Sequence, residues 1–143
     1  MKYLIGLVSV LLLGCASKKV QDIPEAPRGL YEVLTQQSTG GANIRFFEIL
    51  TTTDEIAMLR GDENLRGKIS DSDMETANFL ILNMGEKPTG GYSINVTNVE
   101  ETPTNIIVTV VENNPEAGSM NTMAITYPYT VVRINSKKPI EIK

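Results

Sequence analysis

Asp71, Asp73 and Glu75 stand at alternate positions of one polar stretch, the way a calcium-binding loop opens. The rest of such a loop does not follow. Its sixth place, where a glycine makes the sharp turn, is Thr76, and its twelfth, where a glutamate closes the shell, is Leu82. The same carboxylates could pair as a general acid and base. Nothing beside them supplies a nucleophile or a cluster of donors for developing negative charge. The chain has no histidine. That removes Ser-His-Asp and Cys-His catalysis and histidine-based zinc sites. The stretch reads as a solvated acidic turn, and the chain as a non-enzyme with no metal and no cofactor.

The remaining reactive side chain is the thiol of Cys15, the single cysteine, so no intramolecular disulfide can form. Lys2 gives a positive start, Tyr3 to Leu13 an apolar run, and Gly14 a small residue before the cysteine. This is the layout of a signal peptide. The run is shorter than the ~20 apolar residues a membrane-spanning helix needs. Leu12-Leu13-Gly14-Cys15 resembles the lipobox of bacterial lipoproteins, with Leu13 where Ala or Ser is commoner. The resemblance implies cleavage after residue 14 and acylation of Cys15, hence a lipid anchor in the cell envelope. Two or three acyl chains hold a protein to a bilayer stably, whereas one holds it only marginally. Ala16 in place of Asp is similar to an outer-membrane address in hosts with two membranes.

A third feature suits binding. In Gly85-Glu86-Lys87-Pro88-Thr89-Gly90-Gly91-Tyr92, Pro88 fixes one backbone angle while Gly90 and Gly91 permit positive φ. Such a loop is pre-shaped and costs little entropy to hold against a partner. Lys87, Pro88, Thr89, Gly90, Gly91 and Tyr92 are therefore candidate partner contacts. Tyr127 and Tyr129, on either side of Pro128, are candidates for an aromatic rim beside them. The plainer alternatives are a good turn between strands and two core or edge tyrosines.

These residues need elements to hold them. The net charge of −4 becomes one unit more negative once Lys2 leaves, so no basic footprint for nucleic acid exists. Residues 15–28 contain two prolines and read as a tether, up to about 40 Å long when extended. Tyr31–Thr35 and Ile44–Leu50 read as a hairpin across Gly40-Gly41. Thr52 and Glu55 form a capping-box pattern that starts a short helix ending near Arg60. Phe79–Met84 is apolar on both parities, so it reads as a central strand covered on both faces. Residues 92–97 and 106–111 alternate, with Tyr92, Ile94, Val96 and Ile106, Val108, Val110 pointing inward. Residues 123–127 and 129–134 read as strands broken by Pro128, and Ile140–Ile142 as a terminal strand. The sum is a mainly β chain, an antiparallel sandwich or half-open barrel with one short helix, forming a single domain over 29–143.

Within that domain, residues 73–85, the segment Lys87-Pro88-Thr89-Gly90-Gly91-Tyr92-Ser93-Ile94, then Glu112, Asn114-Pro115, Gly118 and Thr126–Val132 resemble the C-terminal domain of the PrcB family. These are lipoproteins associated with protease complexes. The similarity spans roughly 70–135 and implies a non-catalytic subunit that stabilises or assembles a surface protease, with a protease or its precursor as partner. Met74 replaces a frequent aromatic, and Thr130 stands near a frequent histidine. Pro88–Tyr92 also resembles a loop of chagasin-type protease inhibitors, with Gly90 in place of a Thr and Lys87 in place of an Asn. A general envelope-binding lipoprotein and a chagasin-like inhibitor are the alternatives.

Overall fold

The computed structural model describes residues 28–143. The expectations placed on residues 1–14, on Cys15 and on the tether as far as residue 27 lie outside the described residues. Two strands dictate the arrangement of the rest. β3 (Asn78–Asn83) and β6 (Tyr129–Ile134) are buried along nearly their whole length. Strands apolar on both parities need a covering layer on each side, and these two pair antiparallel at the centre of one sheet, Leu80 opposite Val132. β1 (Tyr31–Gln37) and β2 (Phe46–Leu50) are less buried and take the edges, giving the order β1-β6-β3-β2. The expected hairpin of residues 31–35 with 44–50 therefore does not form, because β6 and β3 stand between its two arms.

The second sheet is β4 (Ser93–Glu101), β5 (Ile106–Asn113) and β7 (Ile140–Ile142). β4 and β5 run antiparallel, and β7 joins β5 in parallel. The chain is mainly β, with two stacked open sheets and no closed barrel. Residues 123–127 form no strand of their own, and only an isolated bridge links Thr126 to Lys87.

Alternate residues of the central strands feed two cores. Leu80, Leu82, Val132 and Ile134 meet Ile94, Val96, Ile106 and Val108 between the sheets. Phe79, Tyr129 and Val131 face the other way, onto Ile56, Leu59, Leu65 and Ile69. Each such aliphatic side chain contributes roughly 1.5–3 kcal/mol on burial. The segment that covers this outer face is helical. α1 (Thr53–Leu59) starts at the expected capping box, with Glu55 N–H donating to the Thr52 hydroxyl and Thr52 N–H donating to the Glu55 carboxylate. It ends at Arg60. A one-turn 3-10 helix (Glu63–Leu65) and a second helix, α2 (Asp71–Thr76), complete the layer. α2 replaces the solvated acidic turn expected there, since Ser70 and Asp73 form another capping box and Asp73 is buried at 2% exposure.

Strand direction separates the two ends of the fold. The chain enters beside Ile134 and Asn135, where Asn135 N–H donates to Leu30 O, and β1 leaves beside Tyr129. The connections 38–45, 84–92 and 114–128 all lie at the far end. Strands of six or seven residues place that end about 20 Å from the entry.

Candidate functional site

The three connections at the far end form one crown, held by main-chain hydrogen bonds between loops. Lys87 and Thr126 exchange both backbone bonds, and Gly90 N–H donates to Thr122 O at 2.8 Å. The Thr126 hydroxyl donates to Thr89 O at 2.7 Å. The first loop is tied in by Gly41 N–H to Tyr127 O, Tyr127 N–H to Ser38 O and Glu86 N–H to Asn43 O. Buried Asn83, the last residue of β3, accepts from Ala42 N–H and donates to the carbonyls of Ala42 and Ile44. One amide side chain thus satisfies three backbone groups of a loop that has no strand partner there.

Two glycines are required by this packing. Gly91 has φ +87°, and a β-carbon there would lie 2.8 Å from Pro115 Cβ, so the 85–92 loop is seated directly on the 114–122 loop. Gly41 lies against the Tyr127 carbonyl, where a β-carbon would come within 2.7 Å of the oxygen. Gly90 does not use positive φ, and its space is nearly sufficient for a side chain.

The expected contact residues divide unequally. Pro88 and Gly91 are exposed on the crown, and Lys87, Thr89, Gly90 and Tyr92 are half-buried in it. The Lys87 ammonium sits 5.5 Å from the centre of the Tyr92 ring, and Tyr92 packs its other parts into the core between the sheets. Tyr127 is half-buried beside this loop and donates its hydroxyl to Glu86 at 3.1 Å. That hydrogen bond holds its phenol above the usual range, so it remains a neutral donor. Tyr129 does not join the rim. Its side chain points into the core under the helical layer at 6% exposure, accepts from Asn64 and donates to Asp62. Alternation along β6 puts it on the face opposite Thr130, and a ring so covered offers no contact area.

The apolar residues that do reach solvent are others. Met120, Met123 and Ile125 of the third loop and Ile44 of the first are exposed, Met120 fully and Met123 at 86%. Sequence reasoning passed over the two methionines because methionine is common core filler, and over Ile44 and Ile125 because it placed them in strands that do not reach them. A signal was present: the connection from Asn114 to Pro128 is long for a strand link, and loops beyond about 12–15 residues are usually functional. Arg45 flanks the crown, paired with Glu112 at 2.7 Å and stacked 4.5 Å over Phe47.

The acidic stretch takes a structural role instead. Burial alone would raise the pKa of Asp73. The Ser70 backbone N–H and hydroxyl, the Arg133 charge and the Arg28 hydrogen bond outweigh it and hold the carboxyl below its ordinary value. Asp71 pairs with Arg60 at 2.8 Å. Among the described residues no three His, Cys, Asp or Glu side chains converge as a metal site would need. The crown can bind through apolar area, backbone shape and the Lys87 ammonium.

Residues 79–135 match the family model described as PrcB C-terminal. The match opens in β3 and closes just after β6, so it contains the second and third crown loops and leaves out β1, β2 and the helical layer. Over 65 residues the chain is 32% identical to an uncharacterized protein of Methanocaldococcus jannaschii, covering 46% of this chain and 39% of that one. The chain thus spans well under half of that relative's length. No solved structure matches the chain.

Proposed function

We propose, from the match of residues 79–135 to the PrcB C-terminal family model and the association with protease complexes that this resemblance implies, that the protein is a non-catalytic, lipid-anchored binding subunit. Its partner is a protease or a protease precursor at the same surface. Cys15 bears the anchor, and the crown, formed by residues 38–45, 84–92 and 114–128, makes the contact. The observation that carries this reading is the set of inter-loop main-chain hydrogen bonds that present Ile44, Met120, Met123 and Ile125 to solvent. Loops on a braced frame have little backbone entropy left to lose on docking, so the cost of seating these exposed apolar side chains is confined to their own rotamers. Placement supports it as well. The described chain begins at the end opposite the crown, which suits a contact surface turned away from an anchoring bilayer. Sharing one membrane raises the effective concentration of the partner, and a weak contact then suffices.

Affinity capture from detergent-solubilised envelope tests the proposal. The lipidated chain is expected to retain a protease or its precursor, and M120S with M123S is expected to release it while the domain stays folded. Recovery of no protease, or equal recovery by the variant, would count against it. A purified chain that blocks a cysteine protease outright would favour the inhibitor reading instead.

A further inference from the structure

A second surface lies away from the crown loops' exposed apolar tips, where the helical layer leaves the four-stranded sheet partly open. A cleft of about 300 Å³ runs between β2 and α1 over Leu50, Met58, Leu59 and Ile81. Glu48, Glu55 and Asp62 border it. A shallower continuation of about 180 Å³ follows Phe46 toward Gly40 and Ala42. The floor is apolar, and the rim carries carboxylates without a cation. None of Glu48, Glu55 and Asp62 has an ion-pair partner among the described residues. Glu55 is held in its charged form by the N–H groups of Thr52 and Thr51, and Glu48 is exposed.

β2 borders this cleft with a free edge. Its strand partner is β3 alone, so its outward N–H and C=O groups have no backbone partner among the described residues. On the cleft side β2 presents Phe46, Glu48 and Leu50, which read apolar, acidic, apolar.

We propose that β2 and this cleft take an extended peptide of a partner protein as an added strand, with residues reading apolar, basic, apolar on the cleft side. Main-chain hydrogen bonds along the edge supply affinity, and alternate side chains supply selection. A lysine or arginine across from Glu48 gives the opposite-charge pair that adjacent strands favour, and its neighbours fill the apolar floor. A second copy of this chain is a poor occupant. Antiparallel pairing of two β2 edges about Glu48 sets that carboxylate against its own copy. The inference does not depend on the crown or on a protease partner.

The test is titration of the full chain with a synthetic peptide alternating Thr with Val, Lys and Leu in turn, followed by fluorescence anisotropy and amide exchange. Two control peptides run beside it, one with Glu for Lys and one with alternate backbone amides N-methylated. Binding should protect the β2 amides from exchange, and each control should bind ~10-fold or more weakly. Glu48→Lys should reverse the preference between the Lys and Glu peptides. Equal binding of all three peptides, protection mapped away from β2, no binding, or a β2-mediated dimer in sedimentation would overturn the proposal. The peptide controls decide the matter even where the protein variant folds poorly.

Discussion

Lys87 and Thr126 exchange both of their main-chain hydrogen bonds, at 2.8 and 2.9 Å, and so lock two loops that are far apart in sequence. Thr126 is buried, and its hydroxyl adds a third bond, to Thr89 O. Thr126→Val keeps the shape and the backbone pair but leaves the Thr89 carbonyl without that donor. The expected cost is about 1 kcal/mol by urea denaturation, with faster amide exchange confined to residues 85–92.

Gly91 and Gly90 should behave differently although they are neighbours. Gly91→Ala forces a side chain into positive φ and into Pro115 Cβ, 2.8 Å away. A loss of about 1–3 kcal/mol and a displaced third loop are expected. Gly90→Ala meets Thr122 Cβ at 3.4 Å with no positive φ, so it should change stability little. Equal effects from the two would contradict the packing described for the crown.

Asp73 predicts an acid limb. Its folded pKa lies below the ordinary 3.8. A depressed carboxyl stabilises the fold above its unfolded pKa, and that contribution is lost as pH falls through the lower, folded value. Stability measured by urea at a series of pH values should therefore fall on acidification. Asp73→Asn should flatten that part of the slope. Asp73→Ala, which leaves buried Arg133 without one of its two carboxylates, should cost about 2–4 kcal/mol at neutral pH.

Met120 and Met123 separate binding from folding. Both side chains are exposed on the third loop, so serine at each should shift stability by no more than about 0.5 kcal/mol. Oxidation to the sulfoxide makes them polar in place. It should weaken partner capture as the serines do, with the melting transition unchanged.

How far the sequence disclosed this molecule depends on which residues are asked. Local signals were legible. Thr52 and Glu55 announced α1, and the two-sided apolar run of Phe79–Met84 announced a central strand. Pairing was not, because β1 and β2 follow one another in sequence while burial demand sends them to opposite edges. Ser70 and Asp73 have the spacing of a capping box just as Thr52 and Glu55 do, yet the polar residues around them masked a helix whose stability comes from packing. In the crown, the glycine-proline loop was visible as a unit. Its bracing by Asn83 and the third loop was not, since those contacts join residues about 40 positions apart. Tyr129 looked like a partner of Tyr127 in sequence, but Tyr127 lies in the loop before β6, whereas Tyr129 opens β6 and faces the core under the helical layer.

Photo-crosslinking in the intact envelope decides whether the crown is the contact surface. A photoreactive residue is placed at Met120 on the crown or at Thr104 on the exposed turn between β4 and β5 at the opposite end. Position 120 should capture a protease or its precursor, and position 104 should not. Capture from 104 with none from 120 would contradict a contact through the crown.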